Sequence, residues 1–137
     1  MALGLSVAQP AWIEDQYKRA DCMAAYAFVL GDEVEEWEVC DEDCEEDIED
    51  IIDDIDNVWE DIHGCDDFSC FGENMREIVR LLQQLRKTLV WYGFQYTAGD
   101  PEDMIDFLEG YLLMNGALYE CQLEGEWPGG WPWENGD

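Results

Sequence analysis

Residues 41–64 read DEDCEEDIEDIIDDIDNVWEDIHG, and two patterns are superposed in them. Ile48, Ile51, Ile52, Ile55, Val58, Trp59 and Ile62 recur at i, i+3, i+4 and i+7, the apolar stripe of a helix packed along one side. The acids Glu42, Asp43, Glu45, Glu46, Asp47, Glu49, Asp50, Asp53, Asp54, Asp56, Glu60 and Asp61 spread over the rest of its circumference. Asp41 is suited to the N-cap, where a carboxylate accepts from unpaired backbone N–H groups, and His63 and Gly64 suit a C-terminus. Like-charge neighbours at i,i+4, such as Glu45–Glu49, Glu49–Asp53 and Asp50–Asp54, weaken such a helix in isolation. Tertiary packing of the isoleucine stripe must therefore hold it.

Three further helices are expected around it. Pro10 can open the first, with Ile13, Tyr17, Ala20, Ala24, Tyr26 and Phe28 near helical spacing and Gly31 as its stop. Residues 32–40 alternate in part, so a short strand near 34–40 or an irregular connector is expected there. After a loop at 64–72, Met75, Ile78, Leu82, Leu85 and Leu89 define the third helix, which carries Arg76, Arg80, Arg86 and Lys87. Asp100-Pro101-Glu102-Asp103 opens the fourth, with a capping carboxylate, proline at the first helical position and acids in the first turn. Its inward residues are expected to be Met104, Phe107, Leu108, Tyr111 and Leu118. Residues 124–137 (EGEWPGGWPWENGD) cannot be regular helix. The expected fold is mostly α: about four helices in an irregular bundle, one acidic domain over residues 1–137, with residues 124–137 as a Trp/Pro/Gly-rich arm. Trp127, Trp131 and Trp133 are read either as a clasp over the core or as binding anchors.

The whole chain carries 35 acids against six Lys and Arg, a formal charge of −29 over 137 residues. No Lys or Arg occurs between Arg19 and Arg76. Such charge ordinarily argues for disorder, but 47% of residues are hydrophobic and 13% aromatic, enough to bury a core. Direct binding to nucleic acid or to an anionic membrane is excluded by the sign of the charge. A basic protein surface is the complementary partner, including a cleft that otherwise holds DNA or RNA. A homodimer is compatible with the sequence. No run approaches the ~18 apolar residues of a membrane span, and residues 1–9 lack the basic n-region of a signal peptide. The expected location is the cytoplasm of a bacterial host, with Cys22, Cys40, Cys44, Cys65, Cys70 and Cys121 reduced.

A helix from Asp41 to His63 is about 34 Å long and carries one carboxylate per roughly 2.6 Å. Double-stranded DNA carries one charge per about 1.7 Å of axis, and each strand one per about 3.4 Å. The face can therefore offer Arg and Lys of a DNA-binding groove something close to a phosphate backbone. An ordinary solvated helix face would interleave Lys and Arg for i,i+4 support, and none occurs here. In size, charge and acidic helical face, chiefly over residues 32–67, the chain resembles the DNA-mimic inhibitors of phages and mobile elements. That group acts on restriction enzymes, CRISPR–Cas effectors or uracil-DNA glycosylase, and anti-CRISPR proteins fit best within it. The resemblance implies an inhibitor that occupies the nucleic-acid groove of a host defence protein. Partner-binding residues would then be Asp43, Glu45, Glu46, Asp47, Glu49, Asp50, Asp53, Asp54, Asp56, Glu60 and Asp61, with no cofactor. The alternative is an acidic chaperone or immunity-type partner that shields a basic protein without imitating DNA.

Other chemistry is weaker. Asp54-Ile55-Asp56-Asn57-Val58 departs from the calcium-loop pattern at its fifth position and lacks the glycine. Cys40-x3-Cys44 and Cys65-x4-Cys70 with His63 fall within zinc-ligand spacing, but Cys44 continues the apolar stripe, as a free core cysteine does. A single His, no phosphate-binding glycine motif and no nucleophile motif argue against an enzyme.

Overall fold

The computed structural model of the protein describes residues 11–97 and 100–121. Its elements are α1 (Ala11–Val34), α2 (Glu42–His63), α3 (Phe68–Thr97) and α4 (Pro101–Asn115), which runs on through a π-helical turn, Gly116–Glu120. Each helix packs on its neighbours in chain order, and α4 with its π-helical turn closes back onto α1. No strand occurs among the described residues. Pro10 and the 124–137 arm lie outside them.

The α2 boundaries follow the sequence. The Cys44 N–H donates to Asp41 Oδ1 at 3.0 Å, and Gly64 N–H closes the last turn on Asp61 O at 3.0 Å. Ile48, Ile51, Ile52, Ile55 and Ile62 are all buried, against Met75, Ile78, Leu82, Leu85 and Leu89 of α3 and the inner face of α1 in one core. At about 1.5–3 kcal/mol for each large aliphatic side chain buried, that stripe offsets the weak self-affinity of an acidic helix.

Several expectations need correction. Gly31 does not stop α1, which continues to Val34. A Cβ at Gly31 would lie 3.3 Å from Ile52 Cδ1, so glycine there sets the close approach of α1 to α2. Of the short strand and the irregular connector expected before α2, the connector forms over residues 35–40, with Trp37 N–H bonded to Val34 O at 3.1 Å and its ring packed edge-on to Phe107 at 5.3 Å. The loop expected at 64–72 is shorter, because α3 starts at Phe68. Asp67 caps it, accepting from Cys70 N–H at 2.8 Å, and Phe71 is buried edge-on to Trp12 and Tyr17. Phe107 of α4 and Leu118 of the π-helical turn are buried as expected and Met104 and Tyr111 are half-buried, but Leu108 is 51% exposed.

The cysteines differ from expectation altogether. Cys22–Cys121, Cys40–Cys44 and Cys65–Cys70 are disulfides, and no cysteine is free. Their Cα–Cα distances of 5.6, 5.3 and 5.5 Å suit a cystine. No thiol is left to ligate zinc. Spacings of four and five residues at helix ends serve either chemistry, which is why the sequence did not separate them. Two of the bridges bracket α2, one at its N-cap turn and one just beyond its end. Tyr17 O–H donates to Cys65 O at 3.0 Å and ties the second bracket to α1. The third bridge joins residues 99 apart and fastens α1 to the end of the π-helical turn.

The π-helical turn brings Gly116 beneath Tyr26 of α1, where a Cβ would meet the ring at 2.7 Å. Gly110 is equally constrained, since a Cβ there would lie 2.9 Å from Trp37 Cη2, 3.1 Å from Leu30 and 3.2 Å from Leu89. Gly110→Ala should destabilise the fold by about 1–3 kcal/mol through overpacking, against a helix-propensity gain of about 1 kcal/mol. Urea denaturation showing an unchanged or higher midpoint would contradict this packing. Opening Cys22–Cys121 by a double Cys→Ser substitution releases a loop whose closure is worth about 2–4 kcal/mol. The melting temperature should fall by on the order of 10 °C while the helical circular dichroism of the folded state persists.

Candidate partner-binding surface

The 22 residues of α2 make a rod about 33 Å long. At 100° per residue its acids fall into two rows flanking the outer midline. Glu42, Glu45, Glu46, Glu49, Asp53, Asp56 and Glu60 lie towards α1. Asp43, Asp47, Asp50, Asp54 and Asp61 lie towards α3. All are exposed except Glu45, Glu49 and Asp56, which are half-buried. Glu42, Glu45, Glu46, Glu49, Asp50 and Asp53 enclose a shallow open furrow of about 480 Å³. A second furrow of about 360 Å³ carries the acidic surface across to the end of α1, where Asp32 and, just past the helix, Glu35 join Glu49 and Asp53 over a floor of Phe28, Gly31 and Ile52. The residues expected to form a binding face thus share one helix surface, and α1 adds acids that the α2 pattern alone did not mark.

Crowding has electrostatic effects. Glu35, Glu45 and Glu49 present carboxylate oxygens within 4.8 Å of one another. Glu49 is held above the ordinary carboxyl range, first by desolvation and then by repulsion from Glu45, Glu35, Asp53 and Asp50. Glu33 is raised in the same way, by desolvation and then by Glu109, Glu36 and Asp106, where the end of α1 meets the middle of α4. An exposed acidic cluster of this kind attracts counter-ions without being a built metal site.

Not every acid faces outward unengaged. Tyr92 O–H donates to Asp47 Oδ2, which pushes the phenol pKa well up. Tyr96 O–H donates to Asp41 Oδ1 at 2.9 Å, and Asp41 is held below its ordinary value by the Cys44 N–H first and by this phenol second. On the other flank, Asp21 of α1 accepts from Trp59 Nε1 at 2.8 Å and meets His63 Nε2 at 2.7 Å through the same oxygen. Two of the α3 cations make their close contacts away from the face. Arg80 forks onto Glu77 of its own helix at 2.6 and 2.8 Å, and Arg86 turns to α4, reaching Asn115 at 2.8 Å beside Tyr111 and Tyr119.

No protein-family model matches the chain, and no curated protein or solved structure is significantly similar to it. No helix among the described residues is long and apolar enough to cross a membrane.

The pH dependence has a definite sign. Raised folded-state values at Glu33 and Glu49 mean that the folded chain takes up protons before the unfolded one, whose glutamates titrate near 4.5. Their effect is to increase stability as pH falls through the raised values towards 4.5. Asp41 and Glu77 are lowered, so their contribution is present above the ordinary values of 3.8 and 4.5 and is lost as pH falls through the folded ones. The melting temperature should therefore climb as pH falls from neutral towards 4.5 and drop again in stronger acid. Glu49→Gln should raise it slightly at neutral pH, a small effect because solvent still reaches the half-buried group, and should flatten the climb. A melting temperature that falls steadily from neutral pH would show that the carboxylates stabilise the fold instead.

Proposed function

We propose that the protein is a DNA-mimic inhibitor: α2 occupies the basic nucleic-acid groove of a host defence protein and blocks target binding. The observation that carries this reading is a pre-organised helix bearing 12 carboxylates in 22 residues, uninterrupted by Lys or Arg. That is one charge per about 2.8 Å of axis, between the spacings of single- and double-stranded DNA. A CRISPR–Cas effector is the favoured target and a restriction enzyme the next, which would place the action in a bacterial cytoplasm. Asp43, Glu46, Asp50, Asp53, Asp54, Glu60 and Asp61 are the solvent-facing contacts, with Glu45, Glu49 and Asp56 behind them. Asp47 already accepts from Tyr92 and contributes charge more than a free hydrogen-bond acceptor. Occupancy alone inhibits, so no catalytic group or cofactor is invoked. The field of the face would steer the encounter, making association fast and salt-sensitive.

The disulfides favour a second reading. Three cystines persist most readily in an oxidising compartment, where the chain would act as an acidic partner that shields a secreted or periplasmic basic protein. The two readings differ in competition and in selectivity.

Capture of purified CRISPR effectors and restriction enzymes on the immobilised protein, followed by addition of duplex DNA, separates them. A mimic retains one class, and DNA displaces it from a defined groove. Asp50→Lys, Asp53→Lys and Asp54→Lys combined should weaken that association at least about tenfold while leaving the helical spectrum intact. Retention of many unrelated basic proteins without competition by DNA would support the shield. Undiminished inhibition by a folded triple variant would remove α2 as the binding face.

A further inference from the structure

Away from the acidic face the bundle carries a second surface of the opposite character. Val90 and Phe94 of α3 and Ile105, Leu108 and Leu112 of α4 form one apolar stripe, each 40–66% exposed, and Trp91 extends it along α3. Between the two helices runs a groove of about 240 Å³. Its floor exists because Gly93 lets α3 approach Phe107, a Cβ at that position lying 3.3 Å from the Phe107 Cβ. Half-buried Met104 and Tyr111 complete the wall.

We infer that this α3/α4 face is a homodimer interface, its occupant a second copy of the same chain. Six large apolar side chains left 40–66% exposed on one side of the bundle exceed the singly scattered surface hydrophobics of an ordinary monomer, and contiguous exposure of this kind marks a protein–protein contact. Charge decides between a second copy and mere repulsion. Two chains at −29 each would repel if their acidic faces met, but α4 makes no contact with α2 and lies across the bundle from it. With helices about 8–10 Å apart, docking through α3/α4 leaves the two α2 faces on the far sides, several times the ~8 Å screening length from each other at physiological salt. The border of the patch is self-complementary: exposed Lys87 flanks it on α3, and exposed Glu102 and Glu109 flank it on α4. A two-fold axis that lays α3 of one protomer on α4 of the other pairs these charges and seats Phe94 or Leu112 in the partner's groove. This inference is independent of the inhibitor reading, and it presents two carboxylate rods facing outward.

Sedimentation equilibrium of the full chain at about 50 µM and physiological salt tests it. The expected mass is twice the 15.9 kDa of one chain, with Phe94→Glu and Leu112→Glu each shifting the population to monomer at an unchanged circular dichroism spectrum. Should a glutamate variant misfold, Leu112→Ser provides the milder change and should raise the dissociation constant at least about tenfold. A wild-type monomer at that concentration would overturn the proposal, leaving the face to residues 122–137 or to another protein. A dimer that survives substitution at both positions would overturn it equally, by moving the interface elsewhere.

Discussion

Burial of the α2 isoleucine stripe is the constraint on which everything else rests. A helix in which 12 of 22 residues are acidic gains nothing from i,i+4 attraction and loses stability to repulsion at nearly every turn. It exists because Ile48, Ile51, Ile52, Ile55 and Ile62 are withdrawn into a core built by α1 and α3. Shape at the contacts matters as much as hydrophobicity. Gly31 opposite Ile52, Gly110 beneath Trp37 and Gly116 beneath Tyr26 let the helices close without side-chain conflict. The disulfides extend the same logic to the ends of α2, where fraying would otherwise begin, since the first and last turns lack half their hydrogen bonds.

Much of this was legible in residues 41–64. The 3.6-residue period, the Asp41 cap and the Gly64 end were local signals, and the structure places them as read. So were Asp100 and Pro101, whose cap and first-turn geometry depend on neighbours within the same turn. What escaped the sequence was decided at a distance. Gly31 looks like a stop until Ile52, 21 residues away, makes it a contact point. Ser69 and Gly72 look like loop until Phe71 is seen locked against Trp12 and Tyr17. Leu108 reads as core on a helical wheel, yet α4 has a neighbour on only part of its circumference. Cysteine spacing fits metal and disulfide alike, and only the fold brings Cys22 to Cys121.

The acidic surface shows the same division. Which carboxylates point outward follows from a helical wheel. That Glu35, just past the end of α1, would join Glu45 and Glu49 depends on how α1 crosses α2, and that Tyr92 and Tyr96 would reach back to Asp47 and Asp41 could not be read from segments 45 and 55 residues apart.

Those tyrosines have one more consequence. The carboxylates of Asp41 and Asp47 are anchored by hydroxyl groups, neutral donors that hold an anion in place without cancelling it. A lysine or arginine in either position would have given a comparable tether and erased one unit of charge. The surface is thus fixed in shape yet left electrically unbalanced, and it must gather a dense cloud of solvent cations along α2. Whatever positive surface displaces that cloud sets those ions free, so the protein carries a reserve of entropy of the same kind that condensed counter-ions give to a nucleic acid.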